Sequence, residues 1–82
     1  MSNEKLKREV VEIVADIADL DPNEVAEDAT FEDLGIDSLA GLRLVAEVER
    51  RYGIVIEEPE IPNIRSMADV LATIDRLAGS AG

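Results

Sequence analysis

The chain contains no cysteine, no histidine and no tryptophan. Without cysteine there is no disulfide and no thiolate nucleophile. Without histidine there is no imidazole to serve as a base near neutral pH. Together these absences exclude zinc sites built on nitrogen and sulfur ligands. Aromatic side chains are almost missing as well: Phe31 and Tyr52 are the only ones in 82 residues. The apolar 46 % of the chain is therefore nearly all aliphatic, which implies a core without large rigid plates, deformable enough to house a guest. No apolar run approaches the length of about 18 residues that reads as a membrane-spanning helix. None follows Met1-Ser2-Asn3-Glu4-Lys5 as a signal peptide requires. A cytoplasmic location is the expectation.

Positive charge is scarce. Eight basic residues stand against nineteen acidic ones, for a net charge of −11. No Lys or Arg occurs between Arg8 and Arg43, a stretch that holds Glu9, Glu12, Asp16, Asp19, Asp21, Glu24, Glu27, Asp28, Glu32, Asp33 and Asp37. Such a surface repels nucleic-acid phosphates and anionic membranes, so neither is expected as a partner. Basic patches on other proteins are the natural counterpart, although excess charge of this kind also serves plain solubility. Like-charge crowding should make the fold gain stability from salt or divalent cations.

Eighty-two residues suffice for one domain with one core. Leu6, Val10, Ile13, Val14 and Ile17 form the stripe of an amphipathic first helix, expected to end near Leu20. Asp21-Pro22-Asn23-Glu24 has the order of a capped turn. Residues 21–37 make a long connection in which Val25, Phe31, Leu34 and Ile36 should pack on the core. Thr30 to Asp33 matches a cap for one helical turn, with Gly35 ending it. A second helix is predicted over Ser38 to Tyr52, with a stripe of Leu39, Leu42, Val45, Val48 and Tyr52. Leu44 lies off that stripe, Gly41 sits inside the helix, and Gly53 closes it. Ile54 to Ile56 is β-branched but has no partner strand in view, so it reads as an extended connection. Pro59 and Pro62 limit residues 57–63 to a short helical turn. Ser66 to Asp69 is a capping box before a last helix with Met67, Val70, Leu71, Ile74 and Leu77 facing inward. Residues 79–82 should form a disordered tail. The expected fold is all-α: a small bundle of three main helices, a short one before the last, and a long first loop.

One place in this frame is suited to chemistry. Asp33-Leu34-Gly35-Ile36-Asp37-Ser38-Leu39 is a glycine-bounded turn that sets Ser38 at a helix start, where free N–H groups and the positive end of the helix dipole favour a phosphate. The plain alternative is that Asp37 or Ser38 caps the helix and nothing more. Nucleophilic catalysis by Ser38 has little support. The Gly-x-Ser-x-Gly elbow is absent, no histidine exists to activate the hydroxyl, and every lysine lies in the first seven positions. No catalytic residue is assigned. Asp19, Asp21 and Asn23 imitate the opening of an EF-hand loop. Glu24 then replaces the required glycine and Thr30 the bidentate glutamate, so no metal site is assigned.

The segment Phe31-Glu32-Asp33-Leu34-Gly35-Ile36-Asp37-Ser38-Leu39 resembles the phosphopantetheine attachment site of bacterial acyl carrier proteins. The likeness runs on through Leu44, Val45, Glu49, Tyr52, Gly53, Ile56, Ile64 and Ile74, without gaps after Ser38. It implies a carrier domain over residues 1–78, monomeric and not an enzyme. A 4'-phosphopantetheine arm on Ser38, flanked by Asp37 and Leu39, would be taken from coenzyme A by a phosphopantetheinyl transferase. The arm would supply the thiol this chain lacks. Ketosynthase, acyltransferase and other synthase enzymes would dock through basic patches. The resemblance makes Asp37, Glu47 and Glu49 candidates for partner contact, with Glu32 and Asp33 in the loop, and Leu39 and Arg43 join them as partner-contact candidates on the helix. It makes Leu39, Leu42, Val45, Ile54, Ile61 and Leu71 candidates for an acyl groove, each equally well ordinary core. Two positions depart from the fatty-acid synthesis pattern: Ala40 and Arg43 stand where acids are usual. Arg50 and Arg51 dilute the negative charge further, and Pro59 and Pro62 alter the approach to the last helix. Asp-Ser-Leu-Ala is more similar to carriers of dissociated polyketide synthases than to those of fatty-acid synthesis. Peptidyl carriers fit less well because of Ile36-Asp37.

Overall fold

The computed structural model describes residues 2–79, with side chains from Glu4 to Ala78. Three α-helices carry the fold: α1 (Ser2–Ala18), α2 (Ser38–Tyr52) and α3 (Met67–Gly79). Short 3-10 turns at Pro22–Glu24 and Glu58–Asn63 lie between them. The architecture is the expected all-α bundle, and none of the described helices is long and apolar enough to cross a membrane.

The helices form where the local rules place them. α1 buries Val10, Ile13 and Val14 from the predicted stripe and adds Ala15. It ends at Ala18, two residues before the expected Leu20, because Asp19 turns left-handed at φ 60°. The Leu20 N–H then reaches back to the Ala15 carbonyl at 2.8 Å, satisfying one of the helix's last acceptors. Aspartate tolerates that backbone better than most residues do. At the far end of α2, Gly53 takes φ 65° and donates to the Glu49 carbonyl at 2.9 Å. α3 starts on Ser66, whose Oγ accepts from the Asp69 N–H at 3.2 Å. The Asp69 carboxylate reaches back one residue further than a standard capping box, to the Arg65 N–H at 2.9 Å. α3 includes Gly79, which the sequence assigned to the tail; residues 80–82 of that expected tail lie outside the described residues.

The core is the seam where α1 meets α2 and α3. Val10, Val14, Leu44, Val48, Met67 and Ile74 are its most deeply buried side chains. This corrects the expected face of α2. Leu44, off the predicted stripe, is 0 % exposed, whereas Leu39 is 70 % and Leu42 51 % exposed. Val45 and Val48 keep their predicted burial. Phe31 plugs the core from the long loop, as expected.

Two connections are held by one or two individual hydrogen bonds instead of a helix or a sheet. The loop before α2 is stitched to the segment entering α3: Phe31 N–H donates to the Arg65 carbonyl at 2.8 Å and Met67 N–H to the Ala29 carbonyl at 3.1 Å. Thr30 and Ser66 form the antiparallel bridge between them. After α2, Ile54 and Ile56 point inward and Val55 outward, the alternation of a strand, but no second strand joins it among the described residues. The Ile56 N–H is satisfied by the Glu49 carboxylate at 2.7 Å instead. Tyr52 donates its hydroxyl to Glu9 at 2.8 Å, tying α2 to α1. Burial, and then this bond to a carboxylate, push the Tyr52 phenol up to about 12.

Candidate functional site

The loop that delivers Ser38 is built from residue types that leave it few options. Thr30 Oγ1 accepts from Asp33 N–H at 3.1 Å, and the Asp33 carboxylate accepts from Thr30 N–H at 3.3 Å. This reciprocal cap holds one turn over residues 31–35. Gly35, at φ 74°, ends it, and Ile36 N–H returns to the Phe31 carbonyl at 2.9 Å. Ile36 is buried, so the turn is anchored at both Phe31 and Ile36 while Asp37 and Ser38 emerge at the surface.

Asp37 and Ser38 then divide the work. Asp37 is the N-cap of α2: its extended backbone starts the helix and its carboxylate accepts from Ala40 N–H at 2.9 Å. Ser38 is the first helical residue, exposed, and its hydroxyl enters no hydrogen bond among the described residues. Both residues were possible caps from the sequence; the structure gives the cap to Asp37 and leaves Ser38 Oγ free. That is the arrangement a tether needs, because a hydroxyl engaged in capping would have to break its bond before forming an ester.

Beside Ser38 lies a cleft of about 710 Å³ between α2, its preceding loop and the Glu58–Asn63 turn. Ile36, Leu42, Val45, Ile61 and Ile64 give it an apolar wall; Thr30, Glu32, Asp37 and Arg65 give it a polar margin. Of the six groove candidates, Leu42, Val45 and Ile61 line this cleft. The other three do not. Leu39 stands out into solvent, Ile54 is buried in the core, and Leu71 lies in a shallow depression against Leu6 and Lys7 of α1. Gly41 also lines the cleft, and a Cβ there would meet nothing within 4 Å, so no close approach within the chain demands the glycine. Ile36, Pro62, Ile64 and Arg65 also line the cleft without having been groove candidates, and Arg65 is joined to the loop by the Phe31 N–H bond to its carbonyl.

The partner candidates fall on separate surfaces. Asp37 and Leu39 are exposed beside Ser38. Arg43 and Glu47 lie around the helix, in a polar cleft shared with Glu12 and Asp16 of α1. Glu47 is already paired with Arg50 and Arg51, the latter at 3.7 Å, and Glu49 is held by the Ile56 N–H. Arg43 is exposed and makes no ion pair among the described residues. No group of acids among the described residues is placed to hold a metal ion.

The chain fits a phosphopantetheine arm on chemical grounds: a free hydroxyl at a helix N-terminus, favourable to phosphate, opens onto a cleft with apolar walls and polar edges. Comparison with known proteins agrees. The phosphopantetheine attachment site family matches residues 8–71. Polyketide-8 synthase acyl carrier protein 2 of Streptomyces avermitilis is 44 % identical over 62 residues, 74 % of this chain and 71 % of that protein. The crystal structure of an acyl carrier protein from Thermotoga maritima superposes with a TM-score of 0.86 at 30 % identity, covering 100 % of this chain and 96 % of that one. The 3,7-dioxo-octyl actinorhodin acyl carrier protein of Streptomyces coelicolor gives a TM-score of 0.72 at 29 % identity, over 98 % and 93 % of the two chains. The chain therefore belongs to the acyl carrier proteins of the phosphopantetheine-attachment family, which carry acyl groups on that arm.

Proposed function

We propose that Ser38 is the attachment residue and that the protein carries polyketide intermediates, or those of another specialised pathway, to separate synthase enzymes. The observation that carries this reading is the division of labour at the start of α2: Asp37 caps, and Ser38 Oγ is exposed and unbonded. In the transfer, Ser38 Oγ forms the new bond to the pantetheine-bearing phosphorus and gives up its proton while the pyrophosphate linkage of coenzyme A breaks, releasing adenosine 3',5'-bisphosphate. The chain has no histidine to take that proton, so the transferase supplies the base. The bound arm supplies a terminal thiol, which holds cargo as a thioester. This chain exposes the tether and lends the cleft; bond making and breaking on the cargo belongs to its partners, and the chain works as a monomer.

Specialised synthesis is favoured over housekeeping fatty-acid synthesis by the surface of α2. Glu47 and Glu49, which a basic partner patch would seek, are engaged within the chain. What remains at the surface is Asp37, Glu32 and Asp33 near Ser38, with exposed Leu39 and the unpaired Arg43 beyond. A partner for this face presents basic groups to the loop and tolerates or complements a cation on the helix. The relative named for a polyketide synthase and the solved relative bearing a dioxo-octyl chain support the same choice.

The test is direct. Incubation with coenzyme A and a broad-specificity phosphopantetheinyl transferase should add one arm to the wild-type chain, read by intact mass. Ser38→Ala should accept none. If Ser38→Ala gains the arm as readily, the assignment is wrong. If neither chain gains it, the arm assignment fails and the chain is an interaction module whose α2 is capped by Asp37, with Ser38 a plain exposed residue.

A further inference from the structure

Among the described residues, Arg65 is the only cation that lines the cleft beside Ser38. Its backbone is fixed on both sides: the carbonyl accepts from Phe31 N–H at 2.8 Å, and the N–H donates to the Asp69 carboxylate at 2.9 Å. The first of these bonds ties Arg65 to the loop that delivers Ser38. The side chain is oriented too, because Nε donates to the Pro62 carbonyl at 2.9 Å. Its two terminal nitrogens have no partner among the described residues, even though Glu32 and Asp37 line the same cleft. Arg8 and Arg43 are likewise exposed and without an ion pair among the described residues, but neither lines this cleft; Arg65 is set apart by its place beside Ser38.

We infer that Arg65 selects cargo: its guanidinium donates hydrogen bonds to the keto oxygens of an oxygenated acyl chain lying in the cleft beside Ser38. The inference rests on Ser38 being the attachment residue. A guanidinium with one nitrogen fixed presents its remaining donors in a set plane, and carbonyl oxygens are acceptors that match it. The apolar wall formed by Ile36, Leu42, Val45, Ile61 and Ile64 takes the carbon skeleton of any acyl chain. It does not distinguish a saturated chain from a keto chain. Arg65 does, because a saturated chain across its donors displaces water and returns nothing, whereas a keto chain replaces the lost bonds with charge-assisted ones. A site with donors waiting for an oxygen discriminates strongly against the analogue that lacks it. The anionic phosphodiester on Ser38 is the other oxygen source within the same site, and the experiment separates the two.

Wild type, Arg65→Leu and Arg65→Lys are loaded from the coenzyme A thioesters of hexanoate and 3-oxohexanoate, and loading is verified by intact mass. Thermal melting is then compared across apo, arm-only and acylated forms. The wild-type 3-oxo form should melt above its saturated counterpart by about 4 °C or more, as one or two hydrogen bonds to a charged group imply for a domain of this size. Arg65→Leu should close the gap and Arg65→Lys keep part of it. The side-chain nitrogen resonances of Arg65 in the wild type should move with the 3-oxo chain and stay with the saturated one, a readout that depends on no variant. The inference is overturned if the wild-type gap is absent, or if it survives in Arg65→Leu. It also falls if Arg65→Leu alters only the step from apo to arm-only protein, which would assign the guanidinium to the phosphodiester. Those outcomes leave the Ser38 assignment standing; a wild-type chain that takes no arm ends both.

Discussion

The two flanks of α2 differ in how far their polar groups are paired, Arg43 apart. On the flank toward α1, Glu47 holds both Arg50 and Arg51, so two of the helix's three arginines are neutralised by one carboxylate. On the flank toward the cleft, Ser38 Oγ and the terminal nitrogens of Arg65 are left without partners among the described residues. Exposed ion pairs of the first kind contribute little stability, and their main effect is to cancel charge. Unpaired groups of the second kind keep their donors and acceptors available to a ligand or partner. The difference agrees with the proposal that Ser38 and the cleft beside it form the working side of α2.

The largest expected effect sets that exposed side against the buried one. Leu44→Ala should cost about 2–5 kcal/mol, because the side chain is 0 % exposed at the centre of the bundle. Leu39→Ala, five residues earlier on the same helix, should change stability by no more than about 0.5 kcal/mol. It should nevertheless slow arm transfer, since a leucine 70 % exposed beside Ser38 has only a partner enzyme to touch. Urea melts and transfer rates on the two variants check this. Equal losses of stability would mean that the two leucines do not separate core from docking surface.

A smaller effect with the opposite sign is expected at Gly41, where the helix borders the cleft. Gly41→Ala should stabilise the apo chain by about 0.5–1 kcal/mol, because the alanine Cβ meets nothing within 4 Å and a helical glycine is entropically unfavourable. The same methyl group narrows the space next to Ser38, so the gain in stability on attaching an acylated arm should shrink. If apo Gly41→Ala melts below wild type, the glycine is required for packing and the cleft is not open there.

Much of this fold was legible because its decisive bonds are local. The caps at Asp21, Thr30 with Asp33, Asp37 and Ser66 with Asp69 each join residues no more than three apart, and the left-handed turns at Gly35 and Gly53 are glycines where that backbone is needed. The inward face of α2 was not legible. Leu39, Leu42 and Val45 form one apolar stripe and Leu44 with Val48 an overlapping one, and helical periodicity alone does not rank them. Only the packing of α1 against α2 decides, and it buries Leu44 while exposing Leu39. Arg65 was illegible for a related reason. Nothing around it in sequence marks it, and the backbone bonds that join Phe31 to Arg65 and Met67 to Ala29 carry it to the loop before α2. The end of α1 was misplaced because the apolar period continues to Leu20, while Asp19 takes a backbone more often given to glycine or asparagine.

The smallest expected effect on stability concerns Arg43, the arginine that Glu47 does not neutralise. Arg43→Glu should lower stability by only about 0.5 kcal/mol, because the side chain is exposed and unpaired and the new acid faces Glu12, Asp16 and Glu47 across a solvated cleft. Its consequence lies in partner choice. Replacing the cation by an acid restores the charge that a basic docking patch seeks, one turn beyond Ser38. Turnover by a fatty-acid ketosynthase, measured on the loaded chains, should rise by up to about fivefold, the worth of one exposed ion pair. The gain should fade with added salt, since the pair is solvent-screened. Turnover by a ketosynthase from a dissociated polyketide system should fall over the same series. Equal turnover of both chains by the fatty-acid enzyme would show that Arg43 takes no part in selecting partners, and the choice would then rest on the acidic loop before Ser38 alone.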